Sequence, residues 1–428
     1  MPSISTENRA LPETAAVVES LVVELGFETL RLEVEGAPPA VYGERRGRSM
    51  HTVLLYNHYD VQPVDPLELW ESPPFEPTVR DGRLYARGAA DNKGQIAARL
   101  AAVRSLLETE GELPVGIRWI IEGEEEVGSP HFDALAREHA ALLEADSCLW
   151  EGSGFRSDGR PLIALGCKGI LYLRLDARVL DTDGHSSVAG VVPSAGWRLL
   201  DALRSIRDED GRVLVPGFYE AVRQPTEAER EAIEAQGDTV ETDIKEAFGI
   251  EGFLDGLEGV PLRERLQFAP TCNLAGIHSG YTGTGMKTVL AAEATARLDF
   301  RLVPSQQPAE ISAAVRSHLD ERGFADVALT VLGSAEPVQT PIEHPLVGRV
   351  RAVAERFAGA PPAIVPLGPA TLPLLSSLER HVGVPGLAAP DNPIYMGCKA
   401  HAPNEHIRLE DLGRAVEFTR TLLAALAD

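Results

Sequence analysis

Cysteine is scarce in this sequence: 428 residues hold only Cys148, Cys167, Cys272 and Cys398, all far apart. With no C-x-x-C pair, the pattern argues against a zinc ribbon or a disulfide framework and fits a reducing cytosol. Long apolar runs are missing too. No stretch approaches the roughly 20 apolar residues of a membrane span, and Met1-Pro2-Ser3-Ile4-Ser5-Thr6 has neither the basic nor the apolar part of a secretory leader. Positive charge is in deficit, with 40 Lys and Arg against 64 Asp and Glu and a net charge of −24. No basic cluster is long enough to neutralise several phosphates, so neither nucleic acid nor an anionic membrane is expected as a partner. Internal repeats and low-complexity tracts are also lacking. These absences lead us to expect a soluble, cytoplasmic protein.

What is present reads as α/β. A chain of this length exceeds the size at which one core stops growing, and 44% apolar residues are enough to build two. The spacing of Val17, Val18, Leu21, Val22 and Leu25 predicts an amphipathic helix over 12–25, stopped by Gly26. Residues 52–57 form a compact apolar run of buried-strand type that ends at His58. A second short strand over 83–87 is closed by Gly88, and a third over 117–121 runs into Glu122-Gly123-Glu124-Glu125-Glu126. Ile96, Leu100, Val103 and Leu107 mark one face of a helix over 92–107. This strand–loop–helix rhythm predicts a mostly parallel sheet with helices on both faces. Ligands in such folds gather at loops beyond the carboxyl ends of strands, and His58, the Asp91 loop and the glutamate run each lie at such an end.

Residues 169–340 have another character. The segment 171–179 alternates, with one polar face; a helix is expected over 195–207, a charge-dense helical stretch over 226–246, alternation again at 294–303, a helix at 309–321 and a strand at 327–332. Half-exposed strands with helices read as an α+β unit on a smaller antiparallel sheet. From Pro345 the first rhythm resumes, with helices over 347–357, 372–380 and 409–427. The expected organisation is a catalytic domain made of 1–168 and 341–428, interrupted by a second domain at 169–340.

Five loops carry candidate chemical groups. In His58-Tyr59-Asp60 the carboxylate is placed to take the second ring N–H of a ligating imidazole, although an ordinary loop histidine is the plainer reading. Asp91 follows Arg87-Gly88-Ala89-Ala90, where the glycine permits a tight turn, and a helix N-cap is the ordinary role for an Asp there. Glu124, Glu125 and Glu126 crowd like charges at a strand end. A dication removes that conflict, one carboxylate binding it while a neighbour takes a proton from water; an exposed acidic turn is the alternative. Glu151 after Leu149-Trp150, and His401 within Cys398-Lys399-Ala400-His401, are unremarkable alone. Together, two imidazoles and three carboxylates suit zinc, manganese or cobalt better than calcium or magnesium. Two such ions roughly 3.5–4 Å apart can hold a bridging water and lower its pKa toward about 7.

Four motifs in this order carry a resemblance: His58-x-Asp60-Val61-Gln62-Pro63, Arg87-Gly88-x-x-Asp91-x-Lys93-Gly94, Glu125-Glu126-x-Gly128-Ser129 and His401-x-x-Asn404-Glu405. They resemble the co-catalytic zinc peptidases, a family that includes carnosine-type dipeptidases, aminoacylase, bacterial glutamate carboxypeptidase and succinyl-diaminopimelate desuccinylase. The likeness covers nearly the whole chain. It implies a di-metal hydrolase that cleaves the amide bond of dipeptides or short peptides, with two divalent ions, zinc first and manganese or cobalt next. It further implies His58 and Glu151 on one ion, His401 and Glu126 on the other, and Asp91 bridging both. Glu125 is then the general base acting on the bridging water, with Asp60 behind His58. Because the family's base–ligand pair precedes Gly128-Ser129 by one residue, Glu124 is left a bystander. The Glu at position 151 follows the desuccinylase-like pattern, whereas much else is dipeptidase-like.

The 169–340 segment resembles the family's lid and dimerisation domain, which implies a homodimer. Thr182-Asp183-Gly184-His185-Ser186-Ser187 resembles a motif whose histidine reaches the partner subunit's site and steadies an oxyanion. The run from Gly280 to Val289 and Arg301-Leu302-Val303-Pro304 resemble the carnosine-type branch. There Arg301 grips the substrate carboxylate and Thr288 adds a hydrogen bond. Without the resemblance, His185 is a surface-turn histidine and Arg301 a strand-end arginine.

Two departures bear on the chain and its substrate. The family's helix before Pro2-Ser3-Ile4-Ser5 is missing, which leaves a truncated or a genuinely shorter N-terminus as the expectation. The branch's Gly-Gly-Ser-x-Pro turn reads Gly368-Pro369-Ala370-Thr371-Leu372-Pro373 here. That change weakens the case for a simple dipeptidase and keeps an N-acyl-amino-acid deacylase or desuccinylase as the alternative. A metal-binding scaffold without catalysis is a third reading, opposed by the presence of every ligand and the base.

Overall fold

The computed structural model describes residues 1–427. Its larger sheet has eight strands in the order Glu28–Leu32, Ala40–Arg45, Gly116–Glu122, Thr52–His58, Ser147–Trp150, Gly386–Ala388, Leu162–Ala164 and Ala363–Val365. From Gly116–Glu122 through Gly386–Ala388 the neighbours are parallel, as is the last pair; the first two strands and the join at Leu162–Ala164 are antiparallel. Central parallel strands are covered on both faces, and Val53, Leu54, Leu55 and Tyr56 are accordingly all buried. Asn57 and Trp119 point to the face taken by the helix Lys93–Glu110, where Asn57 Oδ1 accepts from both Arg99 and the Trp119 indole, and the helix Leu409–Ala425 packs on that helix. On the opposite face Tyr56 meets Phe132 of the helix Phe132–Glu138 edge-on, with ring centroids 6.0 Å apart.

The smaller sheet runs Thr271–Ser279, Glu293–Leu302, Gly169–Arg178, Val327–Ala335, all antiparallel. Its period of two is clear: Leu171, Leu173, Leu175, Leu298 and Phe300 bury one face against the helices Ala195–Ile206 and Pro308–Glu321. Arg174, Asp176, Asp299 and Arg301 line the other face.

The first helix is Leu11–Glu24, and Gly26 takes φ +74° one residue after the C-cap, the left-handed stop that its position calls for. The structure adds local detail at three places. The charge-dense stretch is two helices, Glu227–Ala235 and Thr239–Phe248, parted at Gly237, which adopts φ +70°. Thr226 and Glu229 close a reciprocal capping box at the first of them. The helix Gly259–Phe268 and the edge strand Thr271–Ser279 were not expected. Finally, Arg83–Tyr85 does not join the parallel sheet. It pairs with Thr78–Arg80 and His406–Arg408 in a three-stranded antiparallel sheet of its own. Among the described residues no helix is long and apolar enough to cross a membrane.

Candidate metal centre

Three neighbouring parallel strands deliver three of the candidate groups. Thr52–His58 ends in His58, Ser147–Trp150 is followed at once by Glu151, and Gly116–Glu122 leads into the single turn Glu125–Val127. Strands side by side and in the same sense put their carboxyl ends together. Asp91 and His401 arrive from the small antiparallel sheet. The pairing of Arg83–Tyr85 with His406–Arg408 draws the loop after the first strand against the loop before the second.

Glu405 locks that junction. Its carboxylate accepts from Arg87 Nη1 at 2.6 Å and from the backbone N–H groups of Gly88, Ala90 and Asp91 at 3.1, 2.8 and 3.1 Å. Both members of the Arg87–Glu405 pair are buried. Removing one partner of such a pair leaves an uncompensated charge, at a cost of about 3–5 kcal/mol. Glu405→Ala is therefore expected to lower the urea midpoint sharply, and an unchanged midpoint would refute this account of the junction.

The five groups converge. His58 Nε2 lies 3.0 Å from Asp91 Oδ1 and 3.1 Å from Glu151 Oε2. His401 Nε2 lies 3.0 Å from Asp91 Oδ2 and 3.1 Å from Glu126 Oε2. Two groups of three donors result, His58–Asp91–Glu151 and Asp91–Glu126–His401, each with its ligand atoms within 4.8 Å of one another. Asp91 belongs to both. It is not the N-cap of the following helix: Asn92 holds that position, and Asp91 turns its carboxylate to the two histidines instead.

Behind the first group, His58 Nδ1 sits 3.2 Å from Asp60 Oδ1. The same Asp60 carboxylate accepts the backbone N–H groups of Glu125 and Glu126 at 3.2 and 3.0 Å. One side chain therefore orients the imidazole and holds the glutamate turn against it. Glu124 points elsewhere, accepting from the backbone and ring nitrogens of His131, both at 2.9 Å.

The electrostatics are those of crowded acids. Burial and the charges of Glu151, Asp91 and Glu126 push Glu125 well above the usual carboxylate range, opposed by His58. Burial likewise raises Glu151, again against His58. Burial works against a charged His58, but Glu151 and the bonds to Asp60 and Asp91 hold it well above an ordinary histidine. Bonds to Asp91 and Glu126 lift His401 to about 10. Asp91 is raised by burial, yet the bonds from His401 and His58 take it well below its ordinary value.

The residues present fit two divalent cations. Each Nε2 faces two carboxylate oxygens at near-equal distance, more acceptors than one N–H can serve, and Glu151 Oε2 is buried without a hydrogen-bond partner. Imidazole nitrogens mixed with carboxylate oxygens are a borderline donor set suited to zinc, manganese or cobalt.

The remaining candidates lie on the smaller sheet and its ribbon. Arg301, near the end of Glu293–Leu302, donates to Thr371 Oγ1 at 2.8 Å, so it meets the turn that departs from the Gly-Gly pattern. The Cys167 thiol is pushed up to about 12, mainly by burial. His185 and Thr288 meet each other, Thr288 Oγ1 lying 3.1 Å from His185 Nε2, on the exposed ribbon Gly184–His185/Val289–Leu290. Within this chain they pair together and not with the five converging groups.

Several participants escaped sequence reading. Gln62 donates to Glu126 Oε2 at 2.9 Å, and Glu405 holds the Asp91 loop; both stand inside recognised motifs, which was the available signal. Arg99 and Asp391 belong to no motif. The signal for Arg99 was faint: a cation three residues after Ile96, on a buried helix face.

Two three-donor groups sharing one carboxylate, built where the strand ends of a parallel sheet meet the loops of a small antiparallel one, are the layout of a metal-dependent hydrolase with room for two ions. The chain belongs to peptidase family M20/M25/M40, whose family model matches residues 54–425. Cys-Gly metallodipeptidase dug1 of Schizosaccharomyces pombe is 26% identical over 452 residues, spanning 100% of this chain and 93% of that relative. The M20 family metallo-carboxypeptidase Sso-CP2 from Sulfolobus solfataricus has a similar structure, with a TM-score of 0.94 and 37% identity over 100% of this chain and 96% of the other. Human carnosine dipeptidase 1 gives a TM-score of 0.84 at 25% identity, covering 100% and 94%. The protein is a metal-dependent peptidase.

Proposed function

We propose that this chain hydrolyses the amide bond of dipeptides or short peptides that end in a free carboxylate. In this reading His58, Asp91 and Glu151 would hold one divalent ion and Asp91, Glu126 and His401 the other, with zinc as the resident metal. The observation that carries it is Asp91, whose two oxygens face His58 and His401 at 3.0 Å each. When bound, the ions polarise the scissile carbonyl and make water acidic enough to attack at neutral pH. Glu125 takes the proton of the attacking water and returns it to the leaving amine. Asp60 keeps His58 and the backbone of Glu125 in register. The relatives named as a Cys-Gly dipeptidase, a carnosine dipeptidase and a metallo-carboxypeptidase support a substrate with a terminal carboxylate.

The direct test is metal-stripped protein given Zn²⁺, Mn²⁺ or Co²⁺ against dipeptides, tripeptides and N-acyl amino acids. Turnover of none refutes the reading, and turnover of N-acyl amino acids alone favours the deacylase alternative. Arg301 and Thr371 take the substrate carboxylate in this scheme. Charge-assisted hydrogen bonds are worth about 1.5–3 kcal/mol, so Arg301→Met is expected to raise KM for a dipeptide by about 10–100-fold with metal content intact. An unchanged KM assigns the carboxylate to another group.

Residues 169–340 serve, in the same proposal, as lid and dimerisation domain of a cytoplasmic homodimer. Exposed apolar residues support this: Trp197 on the helix Ala195–Ile206 is 70% exposed, and Leu274 and Ile277 on the edge strand Thr271–Ser279 are 47% and 48% exposed. A dimer also gives the exposed His185 and Thr288 a site to serve, that of the other copy. The four unpaired thiols support a reducing compartment. Trp197→Glu is expected to shift the protein from dimer to monomer in sedimentation velocity, and a dimer of unchanged affinity would remove that helix from the interface.

A further inference from the structure

One buried arginine touches the approaches to two of the five converging groups and reaches a third through a hydrogen-bond network. Arg99 lies on the helix Lys93–Glu110 and is entirely buried. Its Nη1 donates to the Tyr56 carbonyl and to Asn57 Oδ1, both at 2.7 Å, immediately before His58. Its Nη2 donates to the carbonyls of Leu149 and Trp150 at 3.2 and 3.3 Å, immediately before Glu151. Its Nε donates to Asp391 Oδ2 at 2.8 Å. Asp391 in turn accepts from Gln95 Nε2 at 2.7 Å, and Gln95 Oε1 accepts from Asn92 at 2.8 Å and Asn57 at 3.1 Å, which carries the network to the residue after Asp91.

We infer that Arg99, held by Asp391, is a positioning residue for the metal cage, setting the spacing of His58, Glu151 and Asp91. The inference rests on the proposed ligand assignment. The physical reason is geometric. The three ligands arrive on different elements, and strands that end in a metal site need their last carbonyls pinned from behind. A planar guanidinium can serve several acceptors at fixed angles, which an ammonium on a flexible stem cannot. The charge is handled as well: Asp391 is also fully buried, and its carboxylate cancels a positive charge that otherwise opposes cation binding. Side chains that orient metal ligands from behind typically alter metal affinity by about 10–100-fold when changed.

The test is Zn²⁺ affinity of the full chain by chelator competition, with Co²⁺ absorption as a second readout. Arg99→Lys, which keeps the charge and loses the fork, is expected to bind Zn²⁺ about 10–100-fold more weakly and to show a shifted Co²⁺ spectrum. Arg263→Lys is the control: Arg263 makes a largely buried pair with Glu241 on another part of the chain, so it should lower the melting temperature and leave Zn²⁺ affinity unchanged. Wild-type affinity and spectrum in Arg99→Lys, or an equal loss in Arg263→Lys, overturns the inference. Should Arg99→Lys not fold, Asp391→Asn decides: weakened Zn²⁺ binding supports it and wild-type binding overturns it. Failure of the ligand assignment itself is distinguishable, because the unaltered protein would then not take up two ions.

Discussion

Glu125→Gln is expected to reduce kcat by about 10²–10⁴-fold, the usual weight of a positioned acid–base group, while metal content stays at the wild-type level. The substitution keeps size and shape, and the backbone N–H that ties this residue to Asp60 is untouched. None of the four carboxylate oxygens that face the two histidine Nε2 atoms belongs to Glu125, so neither donor group loses a member. What is lost is the ability to accept a proton. KM should therefore move little and kcat should carry the effect. With no cation beside it, burial and the charges of Glu151, Asp91 and Glu126 raise the Glu125 carboxyl above the usual carboxylate range. Glu124→Gln is the matched control. Its carboxylate anchors His131 on the far side of the turn, so activity should remain near wild type. Measuring kcat, KM and bound metal for both variants separates the adjacent glutamates, and full turnover in Glu125→Gln would overturn the mechanism.

The ease with which the site could be read follows from where its parts lie. His58, Glu126 and Glu151 come at or just after buried parallel strands, and such strands are legible because their apolar runs are continuous. Arg83–Tyr85 looked like one more of these. It is too short for its pattern to tell a parallel strand from an antiparallel one, and only its pairing with His406–Arg408 explains why the Asp91 and His401 loops meet. The strand Thr271–Ser279 hid for a different reason. As an edge strand it is exposed on both sides over much of its length, so its residues show no period of two. The helix Gly259–Phe268 begins Gly259-Val260-Pro261, a run that reads as loop although Pro is welcome in a helix's first turn. Arg99 and Asp391 stand 292 positions apart, and no local rule links them. Their partnership depends on the sheet bringing the ends of Thr52–His58, Ser147–Trp150 and Gly386–Ala388 side by side.

Asp91→Ala is expected to lose both ions and to fall to background activity, whereas His401→Ala should lose one. The two variants differ because of their places in the geometry. Asp91 presents one oxygen to each histidine, so its removal takes a ligand from both groups and leaves each with a single imidazole and a single glutamate. Two donors hold a divalent ion poorly against water, and the repulsion among Glu125, Glu126 and Glu151 no longer has two cations to balance it. His401 belongs to one group only. Its side chain is 54% exposed, while that of His58 is fully buried and braced by Asp60. The ion on the His401 side should therefore leave first on dialysis against a chelator, even in the unaltered protein, and the ion beside His58 should persist longer. Metal counted by mass spectrometry across a chelator series would show two separate steps in the wild type, one in His401→Ala and none in Asp91→Ala. A protein lacking the Asp91 carboxylate that still retained both ions would contradict the shared-ligand arrangement directly.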